Sequence, residues 1–518
     1  MKYFNVNGKR SSLLAKGIAV LSLSVVLQGA EGCRGWNQRG AAYYVAMTPI
    51  ETFPDKLKEK FEKGSTAIFK DKTGRSLLYV LVENKEDTKL LMFLKFYNDN
   101  KQDTNFKGNF KKALNAIDPK SQKTPIGISI EKGYEFGFDL LITQEGIHIN
   151  KAGTPQGKNP TSILSALAHK QLKMVTKLLS TIAVDEINIT VIDPISGNTV
   201  LHLAIENKWE NIALEFINRL FNKQEYGLLS TKNKTNEDTA LHLAVRHKQK
   251  AVQEKLIQCI EKVLDSQSPT HESFKDKSLE FLFAQNKDGK TALHSAMKYK
   301  QGYIQGKLIE LALQHNQKEK LWIKDNKGRS AIDIGILYDQ SNVPKLIKEL
   351  PLEKIDQKLV HTIVSHNKEE AFKAILDRLS VLAKEDKDNV QGKLKELFGS
   401  PTAGKKSMWE YIYLSKLSTE PAITGTNIKM FKDAIEVIKS ILPQKEWQDI
   451  EKVILNKIKE REVTPRIKGG ISTQYATKLR NIIKSTSSVP SVPSRPLPDQ
   501  KEAESTEHST QLQKAQAG

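Results

Sequence analysis

The chain has 518 residues, with 80 Lys and Arg against 60 Asp and Glu and only two cysteines. Two cysteines cannot build a disulfide framework, so a chain of this length must stand on buried apolar area. The net charge of +20 would suit an anionic partner, yet only 12 of the basic residues are Arg and the lysines are scattered. Arg is the side chain that grips bases and phosphates bidentately, so nucleic-acid recognition is not expected, and electrostatic binding of nucleic acid or an anionic membrane stays only as an alternative.

At the amino terminus Lys2, Lys9, Arg10 and Lys16 precede an apolar run from Gly17 to Leu27, followed by small residues and Cys33. The run is too short to span a bilayer, so residues 1–32 read as a cleaved secretory signal peptide. Ala30-Glu31-Gly32-Cys33 resembles the lipobox of bacterial lipoproteins, although Ala30 takes the usual Leu position and Glu31 is unusual. That resemblance implies lipidation of Cys33, with each buried CH₂ adding about 0.8 kcal/mol of membrane affinity. Residues 33–54 read as a linker.

Between residues 55 and 350 one phrase returns. Gly197-Asn198-Thr199-Val200-Leu201-His202-Leu203-Ala204 is followed by Asp238-Thr239-Ala240-Leu241-His242-Leu243-Ala244 and by Gly289-Lys290-Thr291-Ala292-Leu293-His294-Ser295-Ala296. Gly permits a left-handed turn, Thr can cap a helix, and Leu and Ala begin an apolar stripe of helical period. The same register, with apolar residues about fourteen and seventeen positions after the cap, is met from Thr124-Pro125-Ile126 (Phe138, Leu141-Ile142), Thr161-Ser162-Ile163 (Val175, Leu178-Leu179) and Ser76-Leu77-Leu78 (Leu90, Phe93-Leu94). Ser330-Ala331-Ile332-Asp333 is a later copy with Asp in place of His, and Gly133 sits at an inter-helix position. Fainter echoes start near Lys358 and at Gly404. The marks stand 37 to 52 residues apart, and the polar stretches Asn222 to Lys234 and Asp265 to Lys277 read as lengthened connections.

These phrases resemble the start of an ankyrin repeat, whose usual length is about 33 residues. The resemblance implies an all-α ankyrin-repeat solenoid of helix-turn-helix units joined by β-turn or hairpin loops, followed by a helical C-terminal region and a disordered tail. It implies that His202, His242 and His294 bond the backbone of neighbouring turns, which leaves them unavailable as a metal ladder. It also implies binding of a protein partner, with no cofactor, no metal and no catalysis, through turn tips and the exposed ends of first helices. Carried over by register, the contact residues are Lys72, Thr73, Arg75, Glu83 and Asn84 in the unit of Ser76. Ile195, Ser196, Asn198, Glu206 and Asn207 follow in the unit of Thr199, and Thr235, Asn236, Asp238, Arg246 and His247 in that of Thr239. The unit of Thr291 supplies Lys287, Asp288, Lys290, Lys298 and Tyr299, and that of Ser330 supplies Asn326, Lys327, Arg329 and Tyr338. Tyr299, Arg246 and Tyr338 rank highest, because aromatics and Arg dominate interface energetics.

Arrays of this kind behind an export signal are frequent in host-associated bacteria, so the resemblance extends to an exported or secreted protein with a eukaryotic host partner. The alternative is a lipid-anchored scaffold of the bacterial envelope. Residues 351–484 read as degenerate repeats or a helical cap, with Trp409, Tyr411, Tyr413 and Trp447 in the packing, and the Pro/Ser-rich residues 485–518 as the tail. Gly399 to Ser407 approaches a phosphate-binding loop, but Lys406 separates Lys405 from Ser407 and the preceding segment reads as helix. Cys259 sits in the second helix of a unit and reads as a small buried apolar residue.

Overall fold

The computed structural model describes residues 43, 45–62, 74–150, 161–183, 186–265, 269–399, 409, 425–462 and 473–485. The leader with Cys33, the turn holding Lys72 and Thr73, the echo at Gly404 and the tail after Ser485 lie outside the described residues. The chain divides into two compact units, Met1–Leu350 and Pro351–Gly518.

In the first unit α1 (Phe53–Glu62) precedes a repeated motif. Its helices are α2 (Leu77–Glu83), α3 (Asp87–Asn100), α4 (Thr104–Leu114), α5 (Pro125–Glu131), α6 (Glu135–Ile142), α7 (Ser162–Ala168) and α8 (Leu172–Thr181). They continue as α9 (Val200–Glu206), α10 (Glu210–Asn222), α11 (Tyr226–Leu229), α12 (Ala240–Arg246), α13 (Lys250–Leu264) and α14 (Pro269–Leu282). The last four are α15 (Ala292–Lys298), α16 (Gly302–Gln314), α17 (Ala331–Leu337) and α18 (Val343–Lys348).

Every marked Ser or Thr is the N-cap of a seven-residue helix. The Ser76 hydroxyl accepts from the Tyr79 N–H, Thr124 from Gly127, Thr161 from Leu164 and Ser330 from Asp333. Such a cap is worth about 1 kcal/mol. These short helices stack in the order α2, α5, α7, α9, α12, α15, α17, burying residues such as Leu77, Leu201, Leu241 and Ala292 completely. Each fully buried Leu contributes roughly 2 kcal/mol, which no seven-residue helix could supply alone.

Nine residues after each mark the chain turns through the left-handed region: Lys85, Gly133, Lys170, Lys208, Lys248, Lys300 and Asp339 have φ between 57° and 60°. Only Gly133 is free of the Cβ clash in this conformation. Lys208→Gly is therefore expected to stabilise the array by roughly 0.5–1 kcal/mol, read as a higher urea midpoint at unchanged m.

Two expectations need correction. Asp265 to Lys277 is not a plain connection: α14 covers most of it and packs on α13, burying Phe281 and Leu282. Its apolar residues cluster in its second half, so no helical period stands out in the polar first half. Within Asn222 to Lys234 the short α11 buries Tyr226 and Leu229, with the Tyr226 ring 5.3 Å from that of Phe221. The fourteenth position after the cap is also not always apolar. In two units it is Gln253 and Gln305, both buried, whose amides bridge units: Gln253 Nε2 donates to Gln301 Oε1 at 2.6 Å and Gln305 Nε2 to Gln340 Oε1 at 2.8 Å. Cys259 is buried in α13, and burial pushes its thiol pKa up.

The second unit is also helical, with α19 (Gln357–Ser365), α20 (Glu369–Glu385), α21 (Lys387–Phe398), α22 (Gly425–Ile441), α23 (Gln444–Glu462) and α24 (Thr473–Ser485). Ser485 therefore closes a helix and does not begin the tail. Helices α19 and α20 keep the array's geometry, with Asn367 at φ 55° between them and Val360, Phe372, Ile375 and Leu376 buried. The cap is Asp356, two residues ahead of the expected start at Lys358, so this first helix is nine residues long. Trp409 is fully buried, donates from Nε1 to the Phe398 carbonyl at 2.8 Å and meets the Phe431 ring edge-on. Lys393 to Phe398, ahead of the near phosphate loop, lies in α21.

Candidate binding surface

The tips are built by short polar side chains that close each turn on its own backbone. Asp193 accepts from the Ser196 N–H at 3.0 Å, Asn233 from Asn236 at 3.1 Å, Asn286 from Asp288 at 3.1 Å and Asp325 from Lys327 at 2.9 Å. These four residues escaped the sequence reading. Their signal was an Asp or Asn five or six positions before each mark, the usual partner of an Asx-type turn. The hairpins are reduced to isolated antiparallel bridges, Ile192 with Thr199 and Lys324 with Ser330.

Successive tips join through the backbone. The Lys234 N–H donates to the Ser196 carbonyl at 2.7 Å, Lys287 to Asn236 at 2.8 Å and Asn326 to Asp288 at 2.9 Å. Close approach explains the turn glycines Gly197 and Gly289. At Gly289, φ is +73° and a Cβ would stand 2.8 Å from the Asn326 nitrogen. Gly289→Ala is expected to cost about 2–3 kcal/mol, seen as a fall in melting temperature, because both the left-handed strain and the broken tip contact oppose it.

Beneath the tips runs a chain of histidines. Nδ1 of His202, His242 and His294 faces the backbone N–H of Thr199, Thr239 and Thr291 at 3.2–3.3 Å, so it is the acceptor nitrogen. Nε2 then carries the proton and donates across to the next unit, to the carbonyls of Asp238 (3.1 Å), Lys290 (2.9 Å) and Arg329 (3.1 Å). Asp333 occupies the same place in the last unit, accepting from the Ser330 N–H at 2.8 Å, and being an acceptor it reaches no further carbonyl. In the first unit Tyr79 does the bridging, through its hydroxyl to Ser121 at 2.6 Å.

The expected contact residues fall into two groups at opposite ends of the first helices, which at seven residues are about 10 Å long. At the tips Ile195 is 84% exposed, and Thr235, Asn236, Lys287, Asp288, Asn326 and Lys327 are exposed as well. Ser196 is half-buried and bonded to Asp193, while Lys290 pairs with Asp288 at 2.7 Å. At the helix ends Asn84, Glu206, Lys298 and Tyr338 are exposed, and His247 and Tyr299 half-buried.

Several other expected contacts serve the fold. Asp238 is fully buried and Asn198 nearly so, so both leave the contact set. Arg246 is held by Asp238, Nη2 to Oδ2 at 2.5 Å, and Arg329 by Asp325 at 2.8 Å. Arg75 bridges Glu83 (2.6 Å) and Asp118 (2.7 Å), and Asn207 donates to the Leu167 carbonyl at 2.8 Å. Burial pushes the Asp118 carboxyl up, but the Ser121 N–H and Arg75 outweigh it and hold it below the usual range.

Residues 163–267 match the family model described as ankyrin repeats in three copies. The match spans the units of Thr161, Thr199 and Thr239. These units are ankyrin repeats. The flanking units of Thr124, Thr291 and Ser330 carry the same caps and inter-helix turns as the matched ankyrin repeats. A search of curated proteins finds no match. Among solved structures, the chain is similar to one titled as the predatory endopeptidase Bd0816 from Bdellovibrio bacteriovorus in complex with immunity protein Bd3460. That similarity has 19% identity, 43% of this chain, 97% of the other and a TM-score of 0.29. It is also similar to the ankyrin repeat domain of Bcl-3, a member of the IkappaB protein family, with 14% identity, 51% and 95% coverage and a TM-score of 0.32.

In the second unit an open groove of about 560 Å³ is lined by Glu353, Glu385, Asp386, Lys393 and Glu396 among others. Asp386 caps α21 and Lys393 pairs with Glu396 at 3.0 Å, an arrangement of helix caps and solvated ion pairs. Among the described residues no group of three His, Cys, Asp or Glu could hold a metal ion.

Proposed function

We propose that this is an exported ankyrin-repeat protein that captures a protein partner on its tip edge and performs no chemistry of its own. The observation that carries the reading is the bonded row of tips from Ser196 to Asn326, which fixes Ile195, Asn236, Lys287, Asp288 and Lys327 at the surface on a rigid base. Rigid presentation spares a binding site the entropy of ordering loops on contact. Ile195, an apolar side chain held almost wholly in solvent, is the first anchor we assign to the interface.

A partner from a eukaryotic host follows from the likeness to arrays of host-associated bacteria, and a bacterial partner at the envelope is the second reading, favoured if Cys33 is lipidated. No helix among the described residues is long and apolar enough to cross a membrane. Mass spectrometry of the mature amino terminus from a membrane fraction, beside Cys33→Ser, separates the two. A triacylated Cys33 supports the envelope scaffold, an unmodified cleaved terminus the soluble exported binder, and an uncleaved Met1 overturns export by this signal. For binding, Ile195→Asp with Lys287→Glu should weaken partner capture by about tenfold or more at unchanged melting temperature. Unchanged capture would remove the tips from the interface.

A further inference from the structure

The inter-helix turns form a second edge, at the far end of the first helices from the tips. Read along the chain, the basic residues are scattered; the fold collects some of them here. Arg246, His247, Lys248 and Lys250 of one unit stand at the same register positions as Lys298, Tyr299, Lys300 and Gly302 of the next, and Lys250 also pairs with Glu254 at 3.6 Å. Gln301 Nε2 binds the Val245 carbonyl at 2.5 Å, and Lys250 Nζ lies 5.8 Å from the Tyr303 ring centroid. Lys298 Nζ lies 5.3 Å from the Tyr299 ring. Lys208 of the preceding unit extends the row, and the His247 pKa is lowered by burial and then by Arg246 and Lys208, a sign of positive potential at this edge.

Three observations set this edge apart from ordinary solvated surface. Lys208, Lys248, Lys298 and Lys300 are exposed, and no ion pair is formed by any of them among the described residues. Lys208, Lys248 and Lys300 occupy left-handed backbone at φ 60°, 58° and 57°, where Gly would be easier, so charge is kept there against a backbone preference of about 1 kcal/mol each. Tyr303 is 41% exposed beside them, giving the cationic row an apolar contact.

Resting on the reading of this array as a protein binder, the geometry points to an acidic, extended segment of the partner lying along this edge. Units in such a stack lie about 10 Å apart, and three residues of extended chain span about 10 Å. A segment with a carboxylate at every third position would therefore set one against each turn, with an apolar side chain on Tyr303. Nucleic acid fits less well, because the one Arg at this edge is already held by Asp238 and lysine offers phosphate only a point charge.

The test is fluorescence anisotropy with the full chain and a labelled peptide of about twelve residues carrying Glu at every third position around one Phe. A peptide with Lys replacing Glu and an oligothymidine of similar length serve as comparisons. The Glu peptide should bind in preference to both, and Lys248→Glu with Lys300→Glu should weaken it by at least about tenfold at an unchanged melting curve. Lys248→Gln with Lys300→Gln, which adds no new charge, should give an intermediate loss. Equal binding by wild type and both variants overturns the proposal, as does preference for oligothymidine. If the Glu peptide fails to bind while a photo-crosslinker at Asn236 captures a protein, this edge is refuted and the array reading stands. If neither binds, the array reading itself falls.

Discussion

Acidification from about pH 7 to about pH 5 will destabilise the Thr199 to Ser330 segment steeply, lowering its melting temperature, with the Glu206 carboxyl, which burial pushes up, opposing this in part. His202, His242 and His294 are buried as neutral rings, each with a proton committed to the next unit's carbonyl. Burial lowers their pKa, and the carbonyl acceptors offset this only in part. In the unfolded chain the same rings take up protons near pH 6.5. Below that value the unfolded state binds more protons than the folded one. The contribution is thus fully present above about pH 6.5 and is lost as pH falls toward the lower folded-state values. Each titrating ring adds a slope of up to about 1.4 kcal/mol per pH unit, and three add about 4.

His247, also lowered, acts in the same window. Asp118 and Asp325 are held below the usual carboxylate range, so their contribution is lost only under more acid conditions. His242→Gln keeps a donor for the Lys290 carbonyl but does not titrate, and should flatten the slope by one histidine's share in melts between about pH 8 and 4.5. A wild-type melting temperature flat across that range would contradict the assignment.

Arg246→Ala should be among the most damaging surface substitutions, with a loss of about 3 kcal/mol. Asp238 is fully buried, its Oδ2 held by Arg246 and its Oδ1 by Asn286 Nδ2 at 2.8 Å. Removing Arg246 leaves a buried carboxylate without its cation, which is worse than having no pair at all. Adding Asp238→Asn removes the stranded charge while keeping an acceptor for Asn286, so the double variant should recover more than half of the loss in urea denaturation. A neutral effect of Arg246→Ala on stability would mean that this ion pair is only a solvated surface contact. By register and residue type Arg246 ranks among the leading interface residues, so any loss of partner binding in this variant must be separated from unfolding.

The repeat was legible because its signals are local. A cap hydroxyl, a stripe of Leu and Ala and a turn Gly are chosen by backbone chemistry within a few residues, so Thr199, Thr239 and Thr291 announced their helices, while the histidine links were implied by the ankyrin resemblance. Asp333 could be read as a variant copy, though not as the end of the donor chain, since that depends on which carbonyl lies opposite. The elements missed depend on partners distant in sequence. Helix α14 packs on α13 and buries Phe281 and Leu282, and Gln253 and Gln305 are satisfied in the core by Gln301 and Gln340 of the next unit together with the Ala244 and Ala296 carbonyls. The same distinction divides the candidate site. Ile195, Asn236, Lys287 and Lys327 lie at the surface as their turn positions imply, whereas Asp238, which engages Arg246, is also bonded by Asn286, three helices further along the chain.

The most direct test places a photo-crosslinking amino acid at Asn236 or Asp288 on the tips, and at the exposed Gln258 on α13, in the protein expressed in its own cells. A protein adduct formed from Asn236 and Asp288 but not from Gln258 is the predicted result. Adducts from Gln258 alone, or none from either tip, would contradict the assignment of the tip edge as the binding surface.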